Sequence, residues 1–135
     1  MRAFLLLVAV LIGLASPARA ADDIAAAQGV IRSQEQAFSR DDAAAAFSFA
    51  APAIQEIFQL PEIFLGMVRG SYAPVYRHKS FEFGEARIAD GGIAQRVHIV
   101  DDDGVAWEAL YTLERQPDGS LKITGCSLLK AGQAV

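Results

Sequence analysis

Few side chains of this chain could do chemistry on their own, since its 135 residues include two histidines and one cysteine. His98 and Glu108 fall directly opposite each other on neighbouring predicted strands, so the carboxylate could orient the imidazole as a base or as a metal ligand. The alternative is a surface pair between strands, worth less than about 1 kcal/mol. We favour the surface pair, because the other histidine, His78, lies far along the first predicted strand and no zinc-type spacing exists.

Charged and thiol groups offer further possibilities. Arg77-His78-Lys79, with Arg69 upstream, could bind an anion, or these basic residues could face the acidic loop Asp101-Asp102-Asp103. That loop lacks the glycine and distal glutamate of an EF-hand calcium site. Cys126 could be a reactive thiol or form an intermolecular disulfide, but we expect a small buried hydrophobe in the apolar run 123–129. We predict no metal site and no cofactor, because no nucleotide loop or nucleophile motif appears.

Composition places the chain among globular proteins. It is 53% hydrophobic and 21% charged, values that exclude disordered and disulfide-scaffold classes. The net charge of −4 argues against a nucleic-acid partner, because such proteins usually carry a clustered basic excess. The length suits one domain.

The first twenty residues are typical of a secretory signal. Arg2 precedes the apolar run 4–14, and Ala18-Arg19-Ala20 matches the small-x-small cleavage pattern. The run is too short to span a ~30 Å hydrocarbon core, which needs about 20 residues. We predict cleavage after Ala20, a single mature domain over 21–135 with no membrane contact, and a periplasmic or secreted location.

Hydrophobic spacing divides the mature chain into helices followed by strands. Apolar residues recur at helical spacing from Ile24 to Phe38. The predicted helix boundaries are a cap at Asp22-Asp23, starts near Asp42, Pro52 and Pro61, and an end at Gly70. Three Asp-Gly pairs predict turns between strands at about 79–88, 93–101, 105–115 and 120–129. The expected fold class is α+β, with N-terminal helices on one face of a curved four-stranded antiparallel meander.

Turn chemistry also predicts the strand register. Three-residue loops that end in glycine, at 102–104 and 117–119, suit a type I turn followed by a bulge. The pairs that follow are Ile99 with Trp107, Gln95 with Tyr111, Leu113 with Ile123, Glu114 with Lys122, and Thr112 with Thr124. This register directs Trp107 and Tyr111 towards the helices, and a slip of one residue would reverse every side chain.

The same register predicts an apolar stripe on the outer face of the sheet, made of Val100, Leu110, Cys126 and Leu128. Monomers rarely expose such a contiguous patch. We therefore expect an association surface, with a homodimer as the occupant. The alternative is a tolerated, partly shielded surface.

Three segments carry a family resemblance: 38–42 with Ala51-Pro52, Phe81-Glu82-Phe83-Gly84-Glu85-Ala86, and 111–119. They resemble an uncharacterised family of exported bacterial proteins known only as a domain of unknown function. The order of helices and strands is similar to the cystatin-like or nuclear-transport-factor-2-like cone. That resemblance implies one exported domain and supplies no catalytic residues, because none are established for that family. The wider superfamily includes isomerases, dehydratases and non-enzymatic domains, so the resemblance does not select a function.

Cone-fold isomerases imply a carboxylate base and a phenol inside an apolar pocket, which here leaves Glu82 with Tyr111. A two-residue turn at Asp90-Gly91 would direct Glu82 inward, opposite Ile99. A three-residue turn would direct Glu82 outward and bury Phe81 and its neighbour Phe83. We favour the three-residue turn, because burying each phenylalanine contributes about 2 kcal/mol and burying an unpaired carboxylate costs several.

The inner face also carries polar and aromatic side chains that could line a ligand pocket, or could simply be core. They are Tyr72, Tyr76, Gln95, Trp107 and Tyr111. The function we expect is a non-enzymatic exported binding or interaction domain of unknown ligand. The alternative is a small enzyme of the isomerase or dehydratase type.

Export gives a direct prediction. The mature protein should begin at Ala21, because signal peptidase cuts after the small-x-small motif. N-terminal sequencing of protein recovered from the periplasm or medium tests this. An N-terminus that still reads Met1 would show an uncleaved anchor instead.

Overall fold

Helices occupy the first half of the chain, as its apolar spacing predicts. The computed structural model describes residues 17–132, so most of the predicted signal segment lies outside the described residues. The helices in this part are α1 (Pro17–Ser39), α2 (Ala43–Ser48), α3 (Pro52–Phe58), α4 (Pro61–Ser71) and α5 (Ala73–Tyr76). Among the described residues, no helix has the length and apolar character needed to cross a membrane.

The long first helix presents one face to the core. Ala27, Ile31, Gln34 and Phe38, spaced by three and four residues, are all buried, as the periodicity predicts. The predicted cap at Asp22-Asp23 is wrong for this chain, because α1 already begins at Pro17.

Short helices follow, with boundaries close to those predicted. The Asp42 carboxylate accepts a hydrogen bond from the Ala45 amide at 3.1 Å and so caps α2. Pro52 and Pro61 begin α3 and α4, where a missing amide hydrogen costs nothing. Helix α4 buries three side chains, whereas α3 has no buried residue. Helix α3 is therefore the more weakly embedded of the two.

The second half forms one open antiparallel sheet, which confirms the α+β class. Its strands are β1 (Ser80–Ala89), β2 (Gly92–Val100), β3 (Ala106–Arg115) and β4 (Leu121–Lys130), in that spatial order. The core lies between the helices and the inner sheet face, where Val97, Ile99, Ala109 and Leu113 are fully buried.

The register of β2 with β3 is confirmed. Ile99 pairs with Trp107 and Gln95 with Tyr111. Gly104 has φ +80°, the left-handed conformation that the predicted loop requires. Trp107 faces the helix side, is half-buried against the core, and donates its indole hydrogen to Asp101 at 2.9 Å.

The hairpin of β1 and β2 has the two-residue turn of one predicted alternative and the outward Glu82 of the other. The turn has two residues, with Asp90 and Gly91 at φ 50° and 77°, so the favoured three-residue turn is wrong. A bulge then follows between Phe83 and Ala86. The bulge reverses the side-chain alternation, so that Phe81 is buried and Glu82 lies exposed opposite His98. The favoured outward direction of Glu82 therefore holds for a different reason.

The last hairpin departs from the predicted register halfway along. Leu113 pairs with Ile123 as predicted, but Thr112 pairs with Gly125, so the predicted Thr112–Thr124 pairing is wrong. The extra residue in β4 shifts every later pair by one, and Tyr111 now lies opposite Cys126.

This shift corrects the predicted outer stripe. Cys126 and Leu128 pair with inner-face residues of β3 and pack against the core, so they do not join Val100 and Leu110 on the outer face. The apolar patch is smaller than predicted. The homodimer stays a prediction, with less surface to support it.

Gln95 supports the bulge in β1. Its side chain is fully buried, and its amide nitrogen donates to the carbonyl oxygens of Gly84 (3.0 Å) and Glu85 (3.3 Å) at the bulge and to that of Arg96 (2.8 Å). Its amide oxygen accepts a hydrogen bond from Gln28 at 3.0 Å. Bulges interrupt the strand ladder, so these carbonyls need a partner from elsewhere.

Replacing Gln95 with leucine should therefore lower the free energy of unfolding by about 1–3 kcal/mol, because the bulge carbonyls lose their donor. Urea denaturation measures the change. The matched control is Gln36→Leu at an exposed position on α1, where we expect a change within about 0.5 kcal/mol. Equal stability of the two variants would contradict this role for Gln95.

Candidate functional site

An apolar cavity of about 280 Å³ lies between helices α1, α3 and α4 and the bulged part of β4. That volume lies near the lower end of the range for small-molecule pockets, about 300–1,000 Å³. The lining residues are Gln34, Phe38, Ala50, Ile54, Phe58, Phe64, Met67, Val68, Tyr72, Val75, Tyr111, Ile123, Thr124, Gly125 and Cys126.

The burial of these residues gives the cavity an inner and an outer end. Gln34 and Tyr111 are only 4% and 2% exposed, so they belong to the inner, deeply buried part of the wall together with apolar residues such as Phe38 and Ile123. Ile54, Phe58 and Met67, from α3 and α4, are only partly buried and lie at the outer end. The cavity therefore combines buried polar groups with an apolar entrance.

The hydrogen bond of the Gln34 side chain determines which way its amide faces. Nε2 donates to the carbonyl oxygen of Ala46 at 3.1 Å, and because a carbonyl can only accept, the nitrogen must face it. Among residues 17–132, no donor is hydrogen-bonded to the Oε1 atom of Gln34, and that atom is not one of the fully buried ones. The oxygen is therefore an available acceptor on the cavity wall.

Tyr111 and Cys126 lie side by side on the sheet floor. Burial raises the pKa of the Tyr111 phenol well above its ordinary value, and the adjacent Cys126 raises it further. Burial also raises the pKa of the Cys126 thiol to about 12. Both groups are therefore neutral at physiological pH, and none of the lining residues is an acid, a lysine, an arginine or a histidine. The cavity offers polar contacts but no charge.

Two of the five predicted ligand-binding residues line this cavity, namely Tyr72 and Tyr111. Trp107 lies in a shallow groove on the other side of Tyr72, beside Leu128. Tyr76 packs against Phe38, with the two rings tilted by 53° and their centroids 5.9 Å apart, and hydrogen-bonds to Asp41.

Gln95, the remaining candidate, supports the β1 bulge. Tyr76 and Gln95 therefore lie outside this cavity, although they share the inner face or the helix–sheet junction with residues that line it.

The proposed catalytic pair is not assembled. Glu82 lies on the outer face opposite His98, whereas Tyr111 lies buried on the inner face. His98 does lie opposite Glu108, but Arg96 forms the ion pair with Glu108 at 2.9 Å. The two residues therefore occupy opposite positions on the outer face as predicted, but the partner of the Glu108 carboxylate is Arg96.

The predicted basic cluster separates in the structure. Arg77 pairs with Asp41 at 2.9 Å, and His78 contacts Glu35 at 3.1 Å. The hydrogen bond from Trp107 and those from backbone amides lower the pKa of Asp101 in the acidic loop. The charge of Lys79 contributes a smaller part of that lowering. Within residues 17–132, no group of three or more histidine, cysteine or acidic side chains is placed to hold a metal ion.

Sequence reasoning missed Gln34 and the bulge residues Thr124 and Gly125. Gln34 looked like one polar member of an apolar helix stripe, and that break in the stripe was the available signal. Gly125 lies inside a strand, where glycine often marks a bulge or a close approach. The Thr124 hydroxyl donates to Oγ1 of Thr112 at 2.9 Å, so the two threonines still touch although they are not paired.

By its fold and cavity, the chain is a small α+β domain. Its helices cover one face of an open sheet, and an uncharged pocket lies between the helices and the sheet. A family model described as a domain of unknown function, DUF4864, matches residues 20–134. The chain therefore belongs to the DUF4864 family. A search of curated proteins returned no match.

Cys126 should react slowly with thiol reagents in the folded protein. The thiolate is the reactive form, and a pKa of about 12 leaves very little of it at pH 8, compared with an ordinary cysteine of pKa about 8.5. We expect modification by a disulfide reagent such as DTNB to be more than roughly a hundredfold slower than in guanidinium-unfolded protein. Similar rates in both states would contradict the buried position of the thiol.

Proposed function

We propose that this chain is an exported domain that binds a small, uncharged, largely apolar molecule in the cavity beneath α3 and α4. The observation that carries the proposal is the pairing of an apolar wall with a few buried polar groups, Gln34 and Tyr111 above all. Natural ligand sites have this composition, because apolar area supplies affinity and a few polar groups fix orientation.

The neutrality of the wall supports an uncharged ligand. Transferring an ionised group into an apolar site without a partner is very costly. None of the lining residues carries a charge that could compensate a carboxylate or an ammonium group. A charged metabolite would therefore have to leave its charge at the entrance.

The enzymatic alternative has less support. An isomerase or dehydratase of the kind considered needs a carboxylate close to the phenol. Glu82 and Tyr111 lie on opposite faces of the sheet, and no acidic residue is among those that line the cavity. Binding explains the observed cavity with fewer assumptions.

Binding is measurable with the apolar fluorophore N-phenyl-1-naphthylamine, added to protein expressed from the full coding sequence. Ile54→Trp should reduce its affinity by about tenfold or more, because Ile54 lines the entrance and a larger ring there occupies the cavity. The matched control is Ile57→Trp, three residues later on α3, where the side chain is 73% exposed. We expect the control to bind like the unmodified chain.

The fluorophore has its own emission, so the added tryptophans do not disturb the measurement. Circular dichroism of both variants checks that the fold survives. Absence of any binding by the unmodified protein, or an equal loss in both variants, would overturn the proposal.

A further inference from the structure

We infer that the ligand is a neutral single-chain amphiphile whose head group donates a hydrogen bond, an aliphatic alcohol in the simplest case, with the head at the inner end. This inference rests on the proposed function, because it names the class of molecule for that same cavity. It follows from the order of groups along the cavity and from the hydrogen-bond roles that remain open on its wall.

The order of groups determines the orientation. The inner, deeply buried part of the wall contains the polar side chains of Gln34 and Tyr111. The partly buried residues at the entrance, Ile54, Phe58 and Met67, are all apolar. A molecule with one polar end and an aliphatic chain therefore matches the cavity only when the polar end enters first. The reverse orientation would set the chain against the amide and the phenol.

The Gln34 amide specifies a donor. Its nitrogen is committed to the Ala46 carbonyl at 3.1 Å, so it cannot turn without losing that bond. Gln34 lines the cavity and its oxygen has no donor within residues 17–132, so an ether or ester oxygen placed against it would meet a second acceptor. A hydroxyl group donates to the amide oxygen and leaves no buried polar atom without a partner.

The hydroxyl groups of Thr124 and Tyr111, which also lie on the cavity wall, are consistent with a ligand head group that donates a hydrogen bond. The Thr124 hydroxyl already donates to Thr112, so it does not offer its hydrogen to a ligand. Tyr111 is held neutral by burial, so it presents a phenol and not a phenolate. Because no lining residue is a cation, a fatty carboxylate would enter without a counter-charge.

The volume limits the length of the chain. A cavity of about 280 Å³ lies just below the range of small-molecule pockets, about 300–1,000 Å³, so it suits a short chain. An alcohol of about eight carbons is a probe of that class. Larger amphiphiles would extend through the entrance between α3 and α4.

The test displaces N-phenyl-1-naphthylamine from the unmodified protein with three probes of similar size: 1-octanol, its isomer heptyl methyl ether, and octanoate. We expect 1-octanol to compete about tenfold better than the ether, since the ether leaves the Gln34 oxygen without a donor. We expect octanoate at pH 8 to compete roughly a hundredfold more weakly than 1-octanol.

Gln34→Met assigns the preference to this side chain, because methionine has a similar shape and no hydrogen-bonding amide. We expect the variant to lose the preference for 1-octanol over the ether, with each competition constant referred to the variant's own fluorophore affinity. Gln28→Met is the matched control on the same helix, since Gln28 contacts Gln95 and does not line the cavity. We expect the control to keep the preference.

The outcomes separate the two proposals. If the fluorophore does not bind, the proposed function itself fails. If it binds and the ether or octanoate competes as well as 1-octanol, binding stands and the inferred ligand class is wrong. If Gln34→Met does not fold, the comparison of the three probes on the unmodified protein still decides the inference.

Discussion

The extra residue in β4 is the constraint on which the rest of the site depends. Thr124 and Gly125 both lie opposite Thr112, and the strand changes its side-chain alternation at that point. Without the bulge, Cys126 would face outward, and Tyr111 would lose its neighbour on the sheet floor. The opposite edge of β4 is held where the bulge begins, because Ile123 exchanges backbone hydrogen bonds with Phe49 (2.9 Å) and Ala51 (2.8 Å).

Those two backbone hydrogen bonds also connect the bulge to the helices. Residues 49–51 join α2 to α3, so the contact with Ile123, next to the bulge in β4, lies directly before the start of α3. Helix α3 follows this contact and has no buried residue. The cavity is the space left between this weakly embedded helix and the floor that the bulge exposes.

The sequence predicted the order of helices and strands and the β2–β3 register, and its largest errors in register arise at bulges. The turn at Gly104 requires a positive φ, and the β2–β3 register follows from it without interruption. The turn between β1 and β2 is one residue shorter than favoured, and bulges beside Gly84 and Gly125 change the register of β1 and β4 away from their turns. A bulge reflects packing from other elements, such as Gln95 beneath Gly84, and no pattern within one strand reports that packing. The glycines inside both strands were the only local signal.

The two buried glutamines show why burial alone could not separate structural residues from the site. Gln95 has hydrogen-bond partners at both ends of its amide, and those partners repair an interrupted strand, so it contributes stability. Gln34 is almost as buried, yet only its nitrogen is committed to another part of the described chain. Gln34 lines the cavity, and its oxygen keeps some accessibility but has no donor within residues 17–132. This oxygen is therefore a position on the wall that can still accept a hydrogen bond, and that difference from Gln95 is what separates the residue of the candidate site from the residue that supports the bulge.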